Sequence, residues 1–343
     1  MLSVGLAHEN WTGDARFHEY TKAADPIGNG TIPPVPGIAF SASLHTGGPT
    51  REVVLDLSGE LGVPYPATSP ALLASFVCIR AKESFSTRPD ATSELYYVLH
   101  GHGASAIDGL GAGSPSGPVT NQSRDVGPGR VLGQDPDRGH GVIEWSEGDF
   151  VTLPAGCGAE HRAGVDAVLY HVVDSPLLAY LGVTAHHPRF LPTVYRAATV
   201  RAELDRAAAA PEAAERSRIA ILLANAQSGE TLTVTHTLWA MFGLLPAGKA
   251  QLPHRHQSVA LDLIIDCEPG CFSMVGDELD DQGRIVDPVR FDWEPGGAFV
   301  TPPGKWHSHH NTSKAPAHLI PVQDAGLHTY LRTLDIRFFR PSG

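Results

Sequence analysis

Short apolar runs separated by glycine and proline recur along the whole chain. The runs SFVCIRA, LYYVLHG, DFVTLPAG, AVLYHVVD, TLTVTHTLWAMF, ALDLIID, AFVTPPG and HLIPVQD have strand length and are rich in Val, Ile, Thr, Tyr and Phe. Many short strands joined by Gly/Pro turns predict an all-β barrel or sandwich. One stretch breaks this rhythm. Residues 200–225 are Ala-rich and charged, with Pro211 interrupting them, and predict a helical connector.

The pattern also repeats. Ile143-Glu144-Trp145-Ser146-Glu147-Gly148-Asp149-Phe150-Val151-Thr152-Leu153-Pro154 echoes Arg290-Phe291-Asp292-Trp293-Glu294-Pro295-Gly296-Gly297-Ala298-Phe299-Val300-Thr301-Pro302-Pro303. Each copy runs from Trp and an acidic residue through a Gly turn to Phe-Val-Thr, about one domain length apart. A duplicated β domain follows: an arm over 1–38, a first barrel over 39–190, a helical linker over 191–229 and a second barrel over 230–343. The arm is expected to pack on a barrel or on a neighbouring subunit.

Composition narrows the function classes. A hydrophobic share of 42% with 18% charged residues belongs to a globular protein, and 343 residues suit two domains. A formal net charge of −12 without a basic stripe speaks against a nucleic-acid partner. No run is apolar for the length of a membrane span, and the N-terminus lacks the basic start and apolar core of a signal peptide. A cytoplasmic location with no membrane partner is expected. Cys78, Cys157, Cys267 and Cys271 read as reduced, mostly buried thiols. No Gly-x-Ser-x-Gly elbow supports serine hydrolase chemistry.

The unusual number is 18 histidines. In Pro253-His254-Arg255-His256, strand alternation points both imidazoles to one face. Fifty residues on, Pro302-Pro303-Gly304-Lys305-Trp306-His307-Ser308-His309 offers a third across a strand-turn-strand unit. His254, His256 and His307 are therefore the predicted metal ligands. His100-Gly101-His102-Gly103 and His186-His187 read instead as exposed turn histidines. Trp239 and Met241 read as core. The stretch 109–139 reads as a long polar loop that covers the site.

The H-x-H pair, followed by P-G-x-x-F-V-T-P-P-G-x-W-H, matches the two-part cupin signature. The second half, about residues 230–340, resembles the gentisate 1,2-dioxygenase group, which includes salicylate, 5-nitrosalicylate and 1-hydroxy-2-naphthoate dioxygenases. The first half resembles it more loosely through Ser93-Glu94-Leu95-Tyr96-Tyr97-Val98-Leu99. The resemblance implies two double-stranded β-helix barrels, a homotetramer, Fe(2+) as cofactor, and a small aromatic acid and O2 as partners. It also implies ring cleavage between the carbons carrying hydroxyl and carboxylate. His309 would then act beside the substrate as acid or base, and Asp324 would orient a ligand histidine.

Many cupins place a Glu four or five positions after the second His. Ala260 and Leu261 stand there, so three neutral imidazoles are expected to leave open positions for substrate and O2. Ferrous iron can supply the electron that triplet O2 requires, which zinc cannot. Gentisate-type enzymes often carry an Arg six positions after the second His. Asp262 stands there, on the face of His254 and His256 by parity. Arg290, Arg80 or His236 is expected to supply the missing positive charge, and Trp306 to line the pocket. Gln257 points away by parity. In the first barrel, Arg88 and Asp90 align with His254 and His256, His161 falls two places beyond the His307 position, and Glu94 keeps the carboxylate place. That half is expected to hold no metal. Two rival readings are a non-catalytic ligand-binding bicupin and an oxalate decarboxylase-like or isomerase cupin. The latter usually needs the missing Glu.

Overall fold

A computed structural model describes residues 11–109, 132–135, 140–216 and 219–339. The long loop expected over 109–139 falls mostly outside them. The chain divides into two compact units, Met1–Pro34 and Val35–Gly343. In the first, a single helical turn over Tyr20–Ala23 is capped by Glu19, whose carboxylate accepts from the backbone of Thr21 and Lys22.

Among the described residues, the second unit holds two barrels, each built from a six-stranded and a five-stranded antiparallel sheet. The first barrel's larger sheet runs Thr193–Tyr195, Phe150–Pro154, Ser93–His100, Ala167–Val173, Leu73–Ile79, Arg51–Val54. Its smaller sheet runs Ser84–Thr87, Gly158–Ala163, His102–Asp108, His140–Ser146, Leu132–Asp135. The second barrel's larger sheet runs Ala39–Phe40, Ala298–Thr301, Ala260–Asp266, Ala317–Gln323, Trp239–Leu245, Ile219–Leu223. Its smaller sheet runs Val289–Asp292, Cys271–Gly276, Trp306–Asn311, His254–Arg255, Arg337–Phe338. This is the expected all-β pair of double-stranded β-helices.

The apolar runs are continuous because their strands are buried on both faces. In Leu73–Ile79, Val77 and Ile79 fill the first barrel, whereas Phe76 and Cys78 face a second core. That second core joins Phe76, Tyr170 and Val172 of the first barrel to Leu261, Leu263, Ile320 and Val322 of the second.

Three expected boundaries move. Ala39–Phe40 precedes the first barrel in sequence yet pairs with Ala298–Phe299 of the second. Among the described residues the connector is helical over Ala197–Ala208, Pro211–Glu215 and Ala226–Ser228, and Ile219–Leu223 is a strand paired to Trp239–Leu245. Its Ile-Ala-Ile-Leu-Leu run fits a pleated, paired surface better than a helix. The strand-like run at 231–238 is turn structure instead, because Thr233 and Thr235 spend their hydroxyls on nearby backbone atoms. Among the described residues no helix is long and apolar enough to cross a membrane. All four cysteines are free, and Cys78, Cys157 and Cys271 are buried.

Candidate metal centre

His254 lies directly across the ladder from His307. That register places their rings 4.0 Å apart between centroids. His256 follows two residues on and returns to the same face, with its ring 4.8 Å from that of His307. The backbone N–H of Gly304 donates to the carbonyl of His256 at 2.7 Å, tying the end of the H-x-H segment to the turn before His307. Gly304 has φ +75°, a left-handed conformation that suits a residue without Cβ. All three imidazoles are buried.

Each ring is held at Nδ1. His254 Nδ1 lies 3.3 Å from the Leu252 carbonyl, His307 Nδ1 3.1 Å from the Lys305 carbonyl, and His256 Nδ1 2.8 Å from the Ser258 carbonyl. A carbonyl only accepts, so each Nδ1 carries the ring hydrogen and each Nε2 keeps its lone pair. One candidate ligand atom from each of the three histidines lies within 4.8 Å of the others. Three neutral nitrogen donors fit a divalent ion of the iron-to-zinc range. Ala260 occupies the position where a carboxylate ligand would stand.

Support comes from residues that no motif marked. Ser258 Oγ donates to Gln323 Oε1 at 2.9 Å and lies 3.1 Å from His256 Nδ1. Asp324 accepts the N–H of Val259 at 2.9 Å, so its hold on the triad runs through the backbone next to Ser258. Burial pushes the Asp324 carboxyl up to about 7 against the pull of that bond.

His309 is buried beside the triad, its ring 6.0 Å from His254 and 5.8 Å from His307. It lines a cavity of about 10 Å³ with Met241, Gly243, Gln251, Leu319 and Pro321. That is room for about one water. Asp262 is buried on the inner strand face, accepts from Thr301 Oγ1 at 2.7 Å, and pairs in register with Phe299.

The other expected pocket residues are not brought to the triad. Arg290 is exposed, because its neighbour Phe291 takes the inward position of that strand. Its guanidinium bonds Asp292 and covers the Phe272 ring at 3.7 Å. Trp306 alternates away from His307 and stacks under Arg255 at 5.3 Å. Arg80 pairs with Asp166, and His236 packs 6.2 Å from Phe190, with burial driving its imidazole down to about 4. Gln257 is exposed. His100 is exposed beside Glu147, with Gly101 at φ +88° making the turn; His102, His186 and His187 are exposed as well.

The first barrel keeps the scaffold and replaces the ligands. Thr87 pairs with Ala159 as His254 pairs with His307, so Thr87 and not Arg88 holds the place of His254, and Pro89 that of His256. The slip arises because the segment between this position and the next strand is one residue longer in the first barrel. Arg88 is bonded to Asp108. Glu94 pairs with Leu153 as Ala260 pairs with Thr301, which is the expected carboxylate place. It is bonded by Tyr96 and sits 3.4 Å from His171.

No family model matches the chain. A stretch of 109 residues, 32% of this chain, is 30% identical to 1-hydroxy-2-naphthoate 1,2-dioxygenase from Nocardioides sp. (strain KP7). That stretch spans about a quarter of the relative's length, 24%. The fold is similar to that of salicylate 1,2-dioxygenase from Pseudaminobacter salicylatoxidans, with a TM-score of 0.64 at 15% identity over 89% of this chain and 88% of that one. A variant of that enzyme in complex with gentisate gives 0.62 over 89% and 86% at 15% identity. Oxalate decarboxylase from Bacillus subtilis gives 0.50 at 14% identity over 84% and 77%. Both dioxygenases belong to the group that the sequence resembles.

Proposed function

We propose that this chain is an Fe(II)-dependent dioxygenase that opens the ring of a salicylate-like hydroxylated aromatic acid. The convergence of His254, His256 and His307 without a carboxylate carries the reading. Those three residues would hold the iron through Nε2. Bound there, ferrous iron would supply the one-electron chemistry that lets O2 react with an aromatic ring.

The protein's own groups do the rest. Holding the ion through three neutral imidazoles and no carboxylate, these residues would leave its charge uncompensated for an anionic substrate. Met241, Leu319 and Pro321, which line the cavity beside His309, would keep bulk water from that side of the site. His309 stands close enough to the triad to hydrogen-bond an oxygen of the substrate. Asp262 sets substrate preference by favouring a donor group where relatives often carry an arginine. Both atoms of O2 enter the product as the ring bond between the hydroxyl- and carboxyl-bearing carbons breaks, so no external electron donor is consumed. Assembly as a homotetramer belongs to the same reading and is tested by sedimentation.

An oxygen electrode decides the activity. Purified chain with added ferrous iron is offered gentisate, salicylate, 5-nitrosalicylate, 1-hydroxy-2-naphthoate and hydroxyanthranilates. Uptake with at least one, together with one iron per chain, is expected. No uptake with any of them and no stoichiometric iron would sink the reading in favour of a ligand-binding bicupin.

A further inference from the structure

Ser273 and His309 face each other on adjacent strands, and Ser273 is fully buried. Its Oγ lies 2.8 Å from Trp293 Nε1 and 2.7 Å from His309 Nδ1. An indole nitrogen only donates, so Ser273 accepts there. The hydroxyl hydrogen then needs an acceptor of its own, because a buried donor left without one is costly. Among the described residues His309 Nδ1 is the other partner of that oxygen. Nδ1 therefore accepts, and the ring hydrogen of His309 sits on Nε2.

The first barrel repeats the device independently. Trp145 Nε1 donates to Ser105 Oγ at 2.8 Å, and Ser105 Oγ lies 2.7 Å from His161 Nδ1. There the far end of the chain is visible. His161 Nε2 lies 3.1 Å from Thr87 Oγ1, Thr87 Oγ1 lies 2.7 Å from Tyr96 OH, and Tyr96 donates to Glu94 at 2.6 Å. Tyr96 has spent its hydrogen on Glu94, so Thr87 donates to Tyr96 and His161 Nε2–H donates to Thr87. The direction runs unbroken from Trp145. Thr87 holds the register place of His254, so the matching nitrogen of His309 is the one aimed toward the triad.

We propose that Trp293 and Ser273 are positioning residues that set the tautomer of His309, so that His309 meets an oxygen of the bound aromatic acid as an Nε2–H donor. The donor role toward substrate rests on the dioxygenase reading, whereas the tautomer does not.

Nitrogen-15 NMR of the full-length, metal-free chain reads the tautomer directly, with His309 assigned by the signal lost in His309→Gln. Nε2–H is expected in the wild type, and a mixture of tautomers in Ser273→Ala. Trp293→Phe, which frees the serine to turn, gives the same mixture and serves where Ser273→Ala does not fold. Nδ1–H in the wild type overturns the proposal. With iron loaded, Ser273→Ala keeps full metal content and loses kcat about tenfold at nearly unchanged KM. Ser273→Thr, which keeps the hydroxyl, restores most of it. An unchanged kcat in Ser273→Ala overturns the positioning role. A wild type that consumes no oxygen ends the dioxygenase reading, and the NMR result still decides the tautomer.

Discussion

Asp324 shows how one buried group links stability to pH. Its carboxyl titrates near 3.8 in the unfolded chain and is pushed up to about 7 by burial in the fold. Between those values the folded state holds a proton that the unfolded state has lost. Stability therefore falls as pH rises through that window and levels off above it. Asp324→Asn removes the charge and keeps an oxygen for the Val259 N–H. We expect the variant to match the wild type near pH 4 and to exceed it at pH 8 by on the order of 1–3 kcal/mol. Urea unfolding at the two pH values measures this, and parallel pH profiles would contradict it. The ligand residues make a separate prediction. His307→Ala should leave the fold intact and abolish metal binding at the triad, so metal analysis showing wild-type content would mean another third ligand. The triad was legible in sequence because strand alternation fixes which histidines share a face. Ser258 and Gln323 were not, because the bond that joins them spans 65 positions and carries no local signal.

At the scale of elements, the duplication was legible because Trp, the Gly turn and Phe-Val-Thr recur at one spacing. What stands at the matching place in the first barrel was not, since it depends on register. Glu94, the retained carboxylate, sits 3.4 Å from His171 Nε2, while Glu52 lies 3.8 Å from His171 Nδ1. Burial opposes charge on this imidazole, and the two carboxylates more than offset it, so its proton is held more tightly than usual. The stabilisation is present below the ordinary histidine range and is lost as pH rises through the raised value. Stacking 4.2 Å from Tyr96 fixes the ring. Glu94→Ala leaves a buried charge with half its compensation and should cost about 3–5 kcal/mol at pH 6, and less at high pH where His171 is neutral. Thermal melts at pH 6 and pH 9 would show it, and an equal loss at both would argue against a charged His171.

Across the whole molecule, each barrel has an inner core and the two share a further one between them. The cluster between them draws Phe76, Tyr97, Phe150 and Tyr170 from one and Phe242, Leu261, Val300 and Val322 from the other. A buried polar link crosses the same boundary, where Thr237 Oγ1 lies 2.8 Å from Ser93 Oγ and 2.9 Å from Asp174 Oδ2. Strands 39–40 and 219–223, which lie outside the run of the second barrel proper, complete its larger sheet. In sequence these segments read as the start of the first barrel and as linker, because a two-residue or edge strand has no periodicity to detect. A barrel that shares a core with its neighbour cannot unfold alone without exposing that core. Phe76 is fully buried in the first barrel and packs 5.5 Å from Tyr170. Phe76→Ala should cost about 3–5 kcal/mol and lower the melting temperature of the whole unit, metal site included. Calorimetry of the wild type and the variant should each give one transition, shifted together. Two resolved transitions, with only one displaced, would mean that the barrels are independent and that the shared core contributes little to holding the triad in place.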